Sequence, residues 1–428
     1  ANVPWKEFFD DPYLVDLIDS ALANNQELHI LLAEMEMANS EVLEKTGEYM
    51  PFVGIGAATG VEKVGRYTSQ GASDANTEID EGREMPDPLP DFLVGAYASW
   101  ELDVWKKLRN AKKAAALRYL STIEGRNFMI THLVAEIAQS YFELLSLDNQ
   151  LAIVQQNIKI QQNALEIVKL QKQAAKVTEL AVIKFEAELL KNQSLQYDIR
   201  QNIIETENRI NFLTGRLPGP VERNSEAFSE MYPDTIRTGL PSQLLTKRPD
   251  IKQAELELAA SRLDVEVARA SFLPQFSLTA SFGAQAFTPG YLAKLPESLL
   301  FSLAGDMVAP LINKRGLQAR FQISTARQKQ AVYNYQQSIL NAYREVTNQL
   351  AKMDNLGSKY ATKEEQVKTL NRSVSISTSL FQSARADYME VLLTQRDALE
   401  AKMELIETKL EQMNSMVHLY QALGGGWQ

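Results

Sequence analysis

The side chains that most often carry out chemistry are sparse in this sequence. It has three histidines, at His29, His132 and His418, and no cysteine. None of the histidines stands at a spacing typical of metal ligands, so we expect no metal site. The absence of cysteine excludes disulfides, thiolate metal sites and cysteine nucleophiles. No nucleophile–base motif is found either, so we expect no catalytic residue and no enzyme.

Cofactor chemistry has equally little support. The twelve methionines would suit a soft metal such as Cu(I), but they are scattered, which is typical of core packing. The run Gly424-Gly425-Gly426 ends the chain and opens no helix, so it does not predict a phosphate-binding loop. We therefore expect no cofactor. The formal charge of −10 argues against a nucleic-acid partner, because such a partner requires a basic surface.

Composition is that of a folded chain, with 45% apolar and 23% charged residues among 428. No run of about 18 apolar residues is found, so we expect no transmembrane helix. The sequence opens at Ala1 without a signal peptide, as in a cytosolic protein or a processed mature chain. In a membrane, only a closed β-barrel would then remain, because open strand edges cannot lie in lipid.

Two very long helical segments dominate the sequence. In the first, apolar residues recur at every seventh position from Ile130 to Leu165, and the second repeats this pattern from Val332 to Phe381. Sustained heptads without proline predict coiled-coil helices, far longer than the average of about 11–12 residues. Each long helix is followed by a second one. The predicted helices span about 104–174, 178–214, 314–383 and 388–422.

Four short segments alternate apolar and polar residues, which is the pattern of β-strands. The clearest runs from Phe276 to Ala286. Each has about 9–11 residues, the length of a tilted membrane-spanning strand. Alternation by itself more often indicates a half-buried sheet in a soluble protein. The predicted strands span about 51–61, 92–102, 275–287 and 298–308.

The chain also repeats itself. A shift of about 223 residues places Pro51 on Pro274, and a shift of about 202–210 residues places Leu180–Ile183 on Met389–Leu392. We therefore predict two structural repeats, 1–220 and 221–428, each with helix, strand, loop, strand, long helix and helix.

A single copy cannot use these elements to enclose a lumen. Barrels of about eight strands are filled by side chains, and larger ones leave a channel. Three copies would supply twelve strands and a ring of twelve helical rods. The competing interpretation is a soluble coiled-coil scaffold with small sheets, which would need no detergent.

Several motifs resemble those of TolC-like outer-membrane efflux channels. The segments LLTKRPDI at Leu244–Ile251 and ARASFLP at Ala268–Pro274 resemble a block typical of the family. The ending LYQALGGGW at Leu419–Trp427 is similar to the family's terminus, and Trp5–Pro12 and Trp100–Trp105 match as well. The resemblance covers nearly the whole chain and is closest to the lipoprotein-type, OprM-like branch.

This resemblance implies a mainly helical, internally duplicated protomer. Three copies would form a twelve-stranded β-barrel in the outer membrane and a twelve-helix α-barrel in the periplasm. An equatorial belt would include segments of about 1–25, 215–248 and 420–428. Members of this branch often carry a lipidated cysteine at the mature N terminus, where this sequence has Ala1.

The implied function is that of a passive exit duct in a tripartite efflux system of a Gram-negative bacterium. The homotrimer would work with a periplasmic adaptor and an inner-membrane transporter of the RND or a similar type. It would expel drugs or other small toxic compounds. Type I protein secretion and metal efflux are the alternatives within the family.

The turns between paired helices, near 174–178 and 384–388, correspond to the periplasmic tips of these channels. Asp387 and Glu390 would form rings of like charge that attract cations. Met389 and Leu393 would form an apolar constriction, and Arg385 and Tyr388 would lock the closed state. The family's glycine and its aspartate at the constriction fall on Ala384 and Leu393.

Adaptor docking is expected at Val177, Thr178, Glu179, Ala384 and Ala386. Because acidic residues are common at helix N termini, simple capping is the alternative role of Asp387 and Glu390.

Overall fold

The computed structural model describes residues 4–231, 245–383 and 385–427. None of the helices in this part of the chain combines the length and the hydropathy needed to cross a lipid bilayer. The α-helices are α1 (Trp5–Phe8), α2 (Pro12–Asn24), α3 (Gln26–Tyr49), α4 (Ser69–Asp74), α5 (Lys107–Gln173), α6 (Glu179–Leu213), α7 (Pro249–Ala270), α8 (Arg315–Gln382) and α9 (Tyr388–Ala422). The strands are β1 (Phe52–Glu62), β2 (Glu78–Asp80), β3 (Arg83–Glu84), β4 (Leu89–Leu102), β5 (Gln275–Ala286) and β6 (Leu299–Val308).

The helices α5 and α8 have 67 and 68 residues. Each is therefore about 100 Å long at a rise of 1.5 Å per residue. α5 begins where the Asp103 carboxylate accepts hydrogen bonds from the backbone N–H groups of Leu108 and Arg109, both at 3.0 Å. These bonds satisfy two of the donors that a helix N terminus leaves unpaired.

The hydrophobic core follows the heptads of α5. Ile137 and Leu144 are fully buried, and Ile130, Ile158 and Leu165 are buried as well. The corresponding series on α8, from Ile339 to Phe381, is only half-buried. A single copy therefore covers the seam of one long helix and leaves that of the other partly open.

One antiparallel sheet has the strand order β1-β4-β5-β6, so β1 and β6 are its edges. The register places Ile55, Ala96, Phe282 and Phe301 in one row across the four strands. Because side chains alternate along a strand, the adjoining rows lie on the opposite face. One such row consists of Gly54, Tyr97, Ser281 and Ser302. The sheet therefore has one apolar and one largely polar face.

Equivalent hydrogen bonds in the two halves show the internal duplication at atomic level. Asn25 Nδ2 donates to the carbonyl of Leu213, the last residue of α6, at 2.9 Å. Arg248 Nη1 donates to the carbonyl of Ala422, the last residue of α9, at 3.0 Å. In each half, a buried side chain thus holds the C-terminal end of the second helix.

A glycine follows each of these helix ends. Gly215 and Gly424 have φ angles of 69° and 81°. A Cβ atom would lie 2.5 Å from the carbonyl oxygen of Asn24 at the first position and 3.0 Å from that of Lys247 at the second. Both the left-handed backbone and the close approach require glycine.

The chain divides into two compact units. One comprises Ala1–Met35, Ser121–Glu255 and Asn334–Gln428 and contains the buried heptads of α5. The other comprises Glu36–Leu120 and Leu256–Tyr333 and contains the four-stranded sheet. Each unit draws on both of the repeats that the sequence predicts.

Candidate functional site

The first helix-to-helix turn of the predicted tip has a Schellman-type geometry. The N–H of Lys176 donates to the carbonyl of Gln171, and the N–H of Ala175 donates to that of Lys172, both at 2.9 Å. Ala175 has a φ of 57°, in the left-handed region that glycine enters more readily. The turn is thus tight and well defined by its backbone.

The second turn repeats the hydrogen bond that spans five residues in the first turn. The N–H of Arg385 donates to the carbonyl of Leu380 at 2.8 Å. Asp387 is the N-cap residue of α9, as Thr178 is of α6, and neither side chain makes a capping hydrogen bond. The alternative role of Asp387 as a side-chain cap is therefore not seen. Ala384, predicted as a docking residue, lies outside the described residues.

An apolar cluster joins the two turns. Val177, Tyr388 and Met389 are partly buried and pack against a cluster of buried side chains from both hairpins. This cluster includes Val182, Phe185, Leu392 and Leu399. Tyr388 and Met389 thus face the packed interior of one copy. Any outward swing of the α8–α9 hairpin must break these contacts.

The charged residues of the second turn are exposed instead. Within the described part of the chain, no ion pair or side-chain hydrogen bond is found for Arg385, Asp387 or Glu390. Leu393 is 42% exposed and lies one helical turn beyond Glu390, so the two are neighbours on α9. Free carboxylates and an apolar side chain therefore share one surface.

In the first turn, Val177 is half-buried, Thr178 is exposed, and the exposed Glu179 pairs with Lys172.

Polar contacts tie α8 to α9 beyond the tip. The hydroxyl groups of Ser377 and Thr394 share a hydrogen bond of 2.8 Å, and Lys359 pairs with Glu411 at 2.9 Å. Sequence reasoning missed the first contact, although Ser377 occupies a heptad position. A polar residue in an otherwise apolar seam is the signal that could have identified it.

Two of the three histidines lie at the same cavity, although they are far apart in the sequence. His132 and His418 line a cavity of about 450 Å³ together with Arg248 and Gln421. Gln421 Nε2 lies 3.0 Å from Nδ1 of His132. Burial lowers the pKa of His418, and the positive charge of Lys352 lowers it further. Among the described residues, no group of three or more acidic or histidine side chains is arranged to hold a metal ion.

Comparisons with known proteins match nearly the whole chain. Residues 17–216 and 240–425 match the model of the outer membrane efflux protein family. The pyoverdine export outer membrane protein OpmQ of Pseudomonas aeruginosa is 29% identical over 427 residues, which cover 99% of this chain and 87% of that protein. The cation efflux system protein CusC of Escherichia coli is 27% identical over 431 residues, with 100% and 89% coverage. A crystal structure of a membrane protein from Pseudomonas aeruginosa has the same fold, with a TM-score of 0.90, 24% identity and 99% and 96% coverage.

Proteins of this family are outer-membrane efflux channels of Gram-negative bacteria and not enzymes. They form trimers and work in tripartite pumps. The matched stretches include the strands of the four-stranded sheet and both helix-to-helix turns. The resemblance inferred from the sequence motifs is thereby confirmed, and the chain belongs to the outer membrane efflux protein family.

Proposed function

We propose that three copies of this chain form a passive exit duct that spans the outer membrane and extends into the periplasm. The observation that carries the proposal is the four-stranded sheet, which ends in two unpaired edges, β1 and β6. Unpaired backbone groups cannot lie in lipid, so each edge must join another copy. Three such sheets supply enough strands to enclose a water-filled lumen.

The apolar face of the sheet supports a lipid environment. Ile55, Phe301 and Leu303 are 86%, 78% and 77% exposed in a single copy. A large exposed apolar patch of this kind indicates contact with a membrane or a partner. The opposite face, with its serine and glycine residues, suits the aqueous lumen.

The long helices support the same assembly. The seam of α8 from Ile339 to Phe381 is half-buried, whereas most of the equivalent positions on α5 are buried. Helices in a closed ring pack against neighbours on two sides. We therefore place a helix of the next copy against the open side of α8.

The tip is proposed to be an iris-like gate. In a trimer, Asp387 and Glu390 recur around the axis, where like charges repel each other and attract cations. Leu393 adds an exposed apolar surface beside them. Tyr388 and Met389 hold the inner hairpin closed through the cluster with α6, and Arg385 is free to bind the next copy.

The partners and cargo are proposed on the same basis. A periplasmic adaptor would dock on the two turns, at Val177, Thr178, Glu179, Ala384 and Ala386, and would link the duct to an inner-membrane transporter. The proposed cargo is drugs or other small toxic compounds. Metal export has less support because the methionines are scattered through the sequence, and two of them, Met413 and Met416, are buried in the core at 1% and 7% exposure.

The test uses the purified chain in detergent. We expect a trimer by light scattering and ion conductance in a planar bilayer. Ile55→Lys on the apolar face should reduce insertion, by about 2–4 kcal/mol at the bilayer midplane. The matched variant Ser281→Lys, on the polar face, should insert normally. A monomer that is stable in plain buffer and conducts no ions would instead be a soluble scaffold and would overturn the proposal.

A further inference from the structure

Ion pairs join two helices of the sheet-containing unit, α5 and α7. Arg118 of α5 pairs with Asp264 of α7, and its Nε lies 3.6 Å from Glu257 Oε1. The Arg118 and Asp264 side chains are only 34% and 29% exposed. α5 follows strand β4, and α7 leads into its neighbour β5. A basic helix that follows a strand is thus paired with an acidic helix that precedes the adjacent strand.

The same charge pattern occurs on two helices that adjoin the edges of the sheet. α3 leads into edge strand β1, and its residues 36–49 include four glutamates and one lysine. α8 follows edge strand β6, and residues 314–333 include five basic side chains and no acidic one. Lys314 and Arg315 at the N terminus of α8 oppose the helix dipole, and like charges along one helix repel each other, so this basic segment favours an anionic partner.

The internal repeat identifies the residues that correspond. The shift of about 223 residues that places Pro51 on Pro274 also places Glu41 on Asp264. Arg118 and Arg327 each lie about three turns into their helices, α5 and α8. Glu41 with Arg327 is therefore the counterpart of Asp264 with Arg118.

Unlike that internal pair, Glu41 and Arg327 are exposed, and neither has an ion pair within the described part of the chain. The negative charge of Glu41 helps to raise the pKa of Arg118 in its own copy, and it does so only through space. Both side chains are thus available to a second copy.

We propose that Arg327 of one copy pairs with Glu41 of the next, as the intermolecular equivalent of the Arg118–Asp264 pair. The inference rests on the proposed trimer and adds the chemistry by which its copies recognise each other. When β6 joins β1 of the next copy, the start of α8 must come close to the end of α3. Only Met50 and Pro51 separate α3 from β1, and six residues, 309–314, separate β6 from α8.

This arrangement also excludes wrong assemblies. If two β1 edges met, the acidic segments of two α3 helices would repel each other. If two β6 edges met, the basic segments of two α8 helices would do the same. Only the contact between unlike edges is favourable, which generates a closed ring instead of an isologous dimer.

Charge reversal tests the pair. Glu41→Arg and Arg327→Glu should each weaken the trimer, by up to roughly fivefold at every contact for a pair of this exposure. The double variant should restore the trimer, because the two charges are exchanged. Glu36→Arg is the control, since Glu36 is an exposed glutamate on a different face of the same helix. The readout is the fraction of trimer that remains after dilution in detergent.

Cross-linking tests the geometry independently. The chain lacks cysteine, so Glu41→Cys with Arg327→Cys introduces the only thiols. A short bifunctional maleimide should then produce covalent dimers and trimers. Lys329→Cys in place of Arg327→Cys is the control, because a shift of two residues turns the side chain by about 200° around the helix.

The outcomes separate this inference from the proposed function. Single reversals that leave the trimer unchanged, with equal cross-linking at positions 327 and 329, would refute the pair and leave the trimer standing. A wild-type chain that is monomeric in detergent would refute the proposed duct and the inference with it.

Discussion

Arg248 joins the start of α7 to the end of α9 and offers a direct test of the fold. Its guanidinium donates to Asp250 at 2.7 Å, to Glu345 at 2.8 Å and to the carbonyl of Ala422 at 3.0 Å. Burial lowers the pKa of Arg248, but the two carboxylates outweigh burial, so its pKa is raised and it stays charged. We expect Arg248→Gln to destabilise the protein strongly.

The magnitude follows from the three hydrogen-bonded contacts that are lost and from the exposure of the two carboxylates. Removing one member of a buried ion pair costs about 3–5 kcal/mol, and losing a neutral hydrogen bond costs about 1 kcal/mol. The side chains of Asp250 and Glu345 are 22% and 44% exposed, so water will partly solvate the freed carboxylates. We therefore expect the free energy of unfolding to fall by about 2–4 kcal/mol.

The assay is reversible denaturant unfolding in detergent, followed by helical circular dichroism. Arg262→Gln is the control, because Arg262 is an exposed arginine of the same helix, and it should change stability by less than about 0.5 kcal/mol. Asn25→Ala removes the equivalent neutral bond of the first half and should cost about 1–2 kcal/mol. Equal unfolding midpoints for Arg248→Gln and Arg262→Gln would show that the contacts of Arg248 contribute nothing to stability.

Three further changes test the tip, a helix end and the histidine cavity. Asp387→Asn with Glu390→Gln should lower the cation selectivity of the closed tip, because the ring loses its charge; an unchanged reversal potential in single-channel recordings under a salt gradient would contradict this role. Gly215→Ala places a Cβ atom 2.5 Å from the carbonyl oxygen of Asn24, so we expect the free energy of unfolding to fall by about 1–3 kcal/mol, measured as a lower Tm. Because burial lowers the pKa of His418, the unfolded chain binds protons more readily than the folded one, and stability is lost as the pH falls through about 6.5. His418→Gln should therefore flatten the decrease in Tm between about pH 7.5 and 5.5; parallel curves for the two proteins would count against this assignment.

Much of the architecture follows from periodicity in the sequence. The heptads from Ile130 to Leu165 predict a helix of about 104–174, and the structure has α5 at Lys107–Gln173. Alternation predicts a strand of about 275–287, and the structure has β5 at Gln275–Ala286. These patterns are informative because a coiled-coil seam repeats at 3.5 residues and a strand at 2, and each is read locally.

The tip was predicted less completely. Motif resemblance located Asp387 and Glu390 at the second turn, where they are exposed. It predicted that Met389 and Leu393 together form an apolar constriction. In the structure, however, Met389 packs against an intramolecular cluster, while Leu393 is 42% exposed. The two positions lie on the same face of α9, one turn apart, so their different burial depends on where the packing of the adjacent hairpin ends and not on the helical period.

By itself, the sequence determined the long helices, the alternating strands, the duplication and the family, since each depends on local spacing or on linear motifs. Only the tertiary structure decided which distant side chains meet. Arg118 contacts Asp264 across 146 positions, and Gln421 contacts His132 across 289. Such pairs depend on how several elements pack together, and no local pattern in the chain encodes that packing.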